Sequence, residues 1–289
     1  MLLKDVIEAH IDKMKNKGRS QETVRGYESD LRLFNQYLEG QFNGSVYIDD
    51  LTEETVEAYL LKRKNEDNVS PSSVNRYLAT IRGCLHYAVK QKLVPFNVAE
   101  DIEPLKVHRA ERIHLTESEL ETLIAAIEHP IIKEAARLMA YTGARVSECT
   151  NLTLDDVDFE KNVIRIIEGK GGKSRVIPMH QTLKIHLQHY QAHIRPKYIT
   201  SSKFFATQKT GELSQQYINR MLHTTTKKLG WQKKVTCHIL RHTFASQLVS
   251  KNINIVKISK ILGHADVRTT SIYTHTNMEE LAEAVNSLS

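Results

Sequence analysis

Asn162 to Met179 reads NVIRIIEGKGGKSRVIPM. Two β-rich runs, Val163 to Ile167 and Arg175 to Ile177, flank GKGGK, which predicts a β-hairpin with a Gly-rich tip. Leu152 to Phe159 just upstream offers a third strand, so a small three-stranded antiparallel sheet is expected. Helical apolar spacing dominates on both sides of this stretch. The predicted fold class is therefore mainly α with one small antiparallel β-sheet.

Moving outward from the hairpin, Thr116 followed by Glu119 forms a capping-box pattern that opens one helix, and a second is expected from about Ile131 to Tyr141. After His180 the pattern returns to helices. Residues 1 to about 98 read as several helices, with Val6, Ile7, His10, Ile11 and Met14 and then Tyr27, Leu31, Phe34 and Leu38 at helical spacing. Ser70, an N-cap candidate, precedes Pro71 at a first helical position and the apolar series Val74, Tyr77, Leu78, Ile81, Leu85 and Val89. That helix carries Arg76 and Arg82, with Lys90 and Lys92 at its end, which reads either as a groove-docking face or as a solvated one. Periodicity fails from Val94 to Arg112, where Pro95, Pro104 and KVHRAER stand. Two domains are expected: residues 1–106 all-helical, a linker over about 99–112, and residues 107–289 carrying the sheet.

A chain of 289 residues with 40% hydrophobic and 26% charged residues has the composition of a soluble globular protein. Its net charge of +6 is unevenly placed: residues 1–110 hold sixteen Lys or Arg against seventeen Asp or Glu, and the remainder twenty-four against seventeen. A positive field of this kind steers polyanions, which makes nucleic acid the leading partner class. Cys84, Cys149 and Cys237 are odd in number and far apart, giving neither a disulfide framework nor a metal knuckle. The opening MLLKDVIEAH is interrupted by charge, and no run of about eighteen apolar residues occurs, so neither a signal peptide nor a membrane span is expected. The expected location is the cytoplasm.

Leu213 to Ala265 contains no Asp or Glu but nine Lys or Arg, where a solvated surface would mix both signs. Within or just beyond this run fall His238, Arg241, His264 and Tyr273. His238 and Arg241 sit three apart on a predicted helix and share a face, a pairing suited to gripping phosphate. A tyrosine hydroxyl can act as a covalent nucleophile, and with an ordinary pKa of about 10 it needs nearby cations to favour the phenolate. Other readings compete. His238 with His242, and the stripe His186, His189 and His193, have metal-ligand spacing but lack an HExxH glutamate or a Cys pair. GKGGK lacks the P-loop frame. Ile253 to Tyr273 could be a helix-turn-helix DNA reader without catalysis.

TGARVSE at 142–148, GKGGKSR at 169–175, HILRH at 238–242, LGH at 262–264 and IYTH at 272–275, in that order, resemble the boxes of the tyrosine recombinases, the phage integrase family. The resemblance covers about residues 110–280 and extends more loosely to the first domain. It implies an all-helical, SAM-like core-binding domain followed by an α+β catalytic domain, clamping a duplex from opposite faces. It further implies that Tyr273 attacks a DNA phosphodiester to form a 3′-phosphotyrosyl link, with Arg145 and Arg241 on the non-bridging oxygens. Lys170 would protonate the departing 5′ oxygen, with Lys173 as its rival. His238 would assist proton transfer, His264 would donate to a non-bridging oxygen, and Glu148 would be supporting. Bond energy is retained in the link, so neither ATP nor a metal or other cofactor is expected.

The same resemblance implies a homo-tetramer on two double-stranded DNA sites, working through a Holliday junction, alone or with a paralogous recombinase, and a nucleoid association. Met278, Leu281, Ala282, Val285 and Leu288 would form a C-terminal interaction helix, on a neighbouring protomer or on its own domain. Because the first core helix begins almost at residue 1, the chain is expected to lack a preceding arm-binding domain, in the manner of Xer-type or small mobile-element recombinases. A type IB topoisomerase uses similar residues and is the alternative within enzymes.

Overall fold

The computed structural model describes residues 1–107, 113–167, 174–195 and 200–263. The chain divides into two compact units, Met1–Ala110 and Glu111–Ser289.

In the first unit, helices α1 (Leu3–Asn16), α2 (Gln21–Phe42), α3 (Glu53–Asn65) and α4 (Pro71–Lys90) pack around one core. The start of α4 follows the expected chemistry: the Ser70 hydroxyl accepts from the Ser73 N–H, and Pro71 needs no such partner. Its apolar stripe, Val74, Tyr77, Leu78, Ile81 and Leu85, is buried against Leu31, Phe34 and Leu38 of α2 and Val56 and Tyr59 of α3. Each such side chain contributes about 1.5–3 kcal/mol.

The basic face of α4 is partly engaged inside its own unit. Arg76 pairs with buried Asp30 and lies over the Tyr77 ring. Arg82 donates to the carbonyls of Ala99 and Ile102. Lys90 and Lys92 remain exposed. The same bonds hold the first half of the expected linker, for Ala99 and Ile102 are buried in this core, and the Asn75 side chain exchanges two 2.8 Å bonds with the backbone of Leu105. Irregular backbone is satisfied here by side chains in place of helical neighbours.

The second unit begins with α5 (Glu117–Ala126), whose capping box closes through Thr116 and Glu119 at 3.2 and 2.9 Å. Helix α6 (Pro130–Thr142) buries Ile132, Ala135, Ala136, Leu138 and Met139 completely, as a helix apolar on most of its faces must. After α7 (Val146–Asn151) come β1 (Val157–Asp158), β2 (Val163–Ile166) and β3 (Arg175–Pro178), an antiparallel sheet in the order β1-β2-β3 with Ile164 opposite Ile177. Ile164, Ile166 and Ile177 face the core. The strand expected over Leu152–Phe159 is shorter, because Asp156 caps a turn at Leu154–Asp156 by accepting from the N–H and hydroxyl of Thr153. Helices α8 (Gln181–His189, extended by a π-turn to Ile194), α9 (Gln215–Lys228), α10 (Cys237–Ser250) and α11 (Ile255–Leu262) follow, with α10 packed on α6.

His189 and His193 stack at 4.7 Å, and among the described residues no three His, Cys, Asp or Glu side chains converge as metal ligands. Among the same residues no helix is long and apolar enough to cross a membrane.

Candidate active site

Two helix ends and two helix starts meet in the second unit. Helix α6 stops at Gly143 and α11 stops at Gly263, both left-handed with φ of 64° and 66°. Neither position has room for another residue. A Cβ on Gly143 would lie 2.5 Å from Phe244 and 2.6 Å from Leu262, and one on Gly263 would lie 2.9 Å from Arg175. Such ends leave carbonyls without helical partners. Here guanidinium groups take them.

Ile261, Leu262 and Gly263, the last carbonyls of α11, accept from three different arginines: Arg175 Nε at 2.7 Å, Arg241 Nη2 at 2.8 Å and Arg145 Nη2 at 3.4 Å. Arg241 also donates from Nη1 to the Gly143 carbonyl at 2.6 Å, bridging the ends of α6 and α11. The C-terminal end of a helix carries partial negative charge, so cations are favoured there. Carbonyl dipoles carry no net charge, so these contacts fix the guanidiniums without adding a counter-charge.

Glu148 organises the remaining side of the cluster. It stands at the third position of α7, where Oε2 accepts from the backbone N–H of Arg145 at 2.7 Å, one arm of a capping box. Its Oε1 accepts from Arg145 Nη1 at 2.8 Å, and Arg175 donates to both oxygens at 2.8 Å each. The side chain of Glu148 is 3% exposed, that of Arg175 10% and that of Arg145 26%. Burial alone would raise the Glu148 pKa; the hydrogen bonds and charge of Arg175, with the backbone N–H and side chain of Arg145, bring it down to about 2. Glu148 therefore stays a carboxylate.

Helix α10 presents Arg241 from its first turns. Its start is tied to α9 by the Cys237 N–H donating to Asn219 Oδ1 at 3.0 Å, and Thr243 Oγ1 accepts from the Leu115 N–H at 3.0 Å. Arg241 is buried, whereas His238, one turn earlier, is exposed. Of the residues singled out in the sequence, Arg145, Glu148 and Arg241 are thus brought together, with His238 at the start of the same helix as Arg241. Lys170, its rival Lys173, His264, Tyr273 and the C-terminal helix expected around Met278–Leu288 lie outside the described residues. Arg175 stands at the end of the GKGGKSR box, and the resemblance gives it no role. Nothing in its spacing marks it, since its partners are 27 residues upstream and 86 residues downstream.

The phage integrase family profile matches residues 114–280, which hold this whole cluster. The chain belongs to the phage integrase family. A second profile, the N-terminal SAM-like domain of phage integrases, matches residues 7–92. Among curated relatives of this integrase-family chain, the tyrosine recombinase XerD of Shewanella oneidensis is 30% identical over 287 residues, covering 96% of the chain and 94% of the relative. XerD of Corynebacterium glutamicum is 32% identical over 281 residues, covering 92% and 91%. In fold the chain resembles the Tn1549 transposon integrase solved in complex with a circular intermediate DNA, at a TM-score of 0.80 and 20% identity, with 98% and 99% covered. Family and relatives support a tyrosine site-specific recombinase. Neither the topoisomerase nor the non-catalytic helix-turn-helix alternative finds support among them.

Proposed function

We propose that the site built around the end of α11 cleaves and rejoins one strand of duplex DNA by transesterification. Tyr273 Oη attacks phosphorus, the bond to the 5′ oxygen breaks, and a 3′-phosphotyrosyl link replaces it. Arg145 and Arg241 bind the non-bridging oxygens and stabilise the extra charge of the transition state. Lys170 delivers the proton to the leaving 5′ oxygen; Lys173 is the competing donor. His238 and His264 assist proton transfer and phosphate binding, and Glu148 orients Arg145. Neither metal nor nucleotide enters this scheme.

One observation carries the reading: Arg145 and Arg241 reach adjacent carbonyls at the end of α11, immediately before His264 in the chain. Two guanidiniums so fixed form a ready anion site. In this reading the protein acts as a homo-tetramer on two sites, exchanging strands through a Holliday junction, alone or with a paralogous recombinase, in the nucleoid-containing cytoplasm. The duty is dimer or cointegrate resolution, or integration of a mobile element.

The test uses a duplex selected from a random-sequence pool by binding to the wild-type protein, then nicked to trap cleavage. Wild type should give a denaturation-resistant protein–DNA adduct in EDTA, and Tyr273→Phe none. An adduct persisting in the variant would remove Tyr273 from the scheme, and its loss in EDTA would require a metal.

A further inference from the structure

Arg175 lies outside the set of groups assigned to the phosphate, yet it bonds both Glu148, the carboxylate that orients Arg145, and the Ile261 carbonyl at the end of α11. It starts β3, and its guanidinium meets Glu148 end-on with Nη1 on Oε1 and Nη2 on Oε2, both at 2.8 Å. This is the fork-to-fork geometry in which a carboxylate holds arginine most strongly. A carboxylate can offer that geometry to one guanidinium at a time. With Arg175 in place, the Arg145 side chain has a single bond to Glu148 and a long one, 3.4 Å, to Gly263. Without it, Arg145 could swing onto both oxygens of Glu148 and turn its donors inward. Arg175 also bonds the Ile261 carbonyl and fills the space beside Gly263, where no Cβ fits.

We infer that Arg175 is a positioning residue for DNA cleavage: by occupying the fork of Glu148 and gripping the end of α11, it keeps the Arg145 guanidinium directed at the scissile phosphate. The inference rests on the reading of Arg145 given above. Arg175 does not touch the DNA in this scheme. Its effect is felt in the cleavage step and leaves binding almost intact, because many other basic residues hold the backbone.

Arg175→Lys separates positioning from simple charge balance. Lysine restores a cation beside Glu148, but its compact ammonium cannot fork across both oxygens and reach Ile261 together. The measurement is the single-turnover rate of adduct formation at saturating concentrations of the selected, nicked duplex, beside Kd and thermal melting. Arg175→Lys should keep the wild-type Kd within about 3-fold, since binding is spread over many phosphate contacts. Its cleavage rate should fall by about 10²-fold, the cost of a guanidinium misplaced by about 1 Å. Arg175→Met should cleave at least as slowly. The double variant Glu148→Gln, Arg175→Lys should be little slower than the worse single one, since the two act as a unit.

A wild-type cleavage rate in Arg175→Lys overturns the inference and leaves Arg175 as a counter-charge. So does a loss that follows only the folded fraction, with normal cleavage per folded molecule. An adduct from wild type and none from Tyr273→Phe, beside a normal Arg175→Lys, sinks this inference alone. Failure of wild type to form an adduct sinks the reading of the site and this inference with it.

Discussion

Both units bury a carboxylate beside arginine, and they do so differently. In the first, Asp30 is matched by Arg76, a side chain half exposed, with the Thr80 hydroxyl adding a 3.3 Å contact. Charge is balanced one to one. In the second, Glu148 is shared by Arg145 and Arg175, while Arg241 anchors on the Gly143 and Leu262 carbonyls nearby. Among the described residues, one carboxylate is held by two arginines, and the carbonyls of Gly143, Ile261, Leu262 and Gly263 take further donors of all three. The contrast is between an ion pair that closes a fold and a cluster in which one carboxylate and several carbonyls fix three arginines at the end of α11.

The largest effects should come from that cluster. Arg145→Ala and Arg241→Ala should each slow cleavage of the selected duplex by about 10³-fold, the scale of losing one transition-state donor. Filter binding should show Kd little changed. Equal losses of binding and cleavage would make these residues structural, erasing the difference between the two units.

Next comes the shared carboxylate. Glu148→Gln leaves Arg145 and Arg175 without their counter-charge and should destabilise the second unit by about 3–5 kcal/mol in urea unfolding. The pH dependence has a definite sign. Because the folded pKa of Glu148 lies near 2, below its ordinary 4.5, its contribution is complete above about 4.5 and is lost as pH falls toward 2. That contribution is about 3 kcal/mol. The urea midpoint of wild type should drop across this window, and Glu148→Gln should flatten the drop. An unchanged acid limb in the variant would mean that other carboxylates control it.

The smallest effect should lie in the first unit. Arg76→Ala leaves buried Asp30 with the Thr80 hydroxyl contact and should destabilise the first unit by about 1–3 kcal/mol, less than loss of the doubly held Glu148 because Arg76 is half exposed. Cleavage at saturating DNA should be unaltered. A large fall in cleavage would show that the α4 arginine has a role beyond closing its own core.

Local chemistry was legible wherever neighbours in sequence are partners in space. Ser70 with Pro71, and Thr116 with Glu119, announce the starts of α4 and α5 because a cap acts over three residues. The hairpin of β2 and β3 is readable for the same reason. The strand expected over Leu152–Phe159 is confined to Val157–Asp158, since Phe204 donates to the Leu152 carbonyl and Leu154 donates to that of Ser202, diverting its first half. Likewise, no spacing within α4 announces that Arg76 pairs with Asp30 or that Arg82 donates to the Ala99 and Ile102 carbonyls.

Sequence by itself determined the helical and strand periodicities, the caps, the basic second half and the ordered boxes, for these depend on spacings of a few residues and on side-chain chemistry. Only the tertiary structure decided that Arg145, Arg175 and Arg241 share the end of α11, and that Arg175 holds the fork of Glu148. Those contacts join residues up to 118 positions apart. A guanidinium takes whichever carbonyl or carboxylate the packed core brings within about 3 Å, and no local pattern encodes that choice.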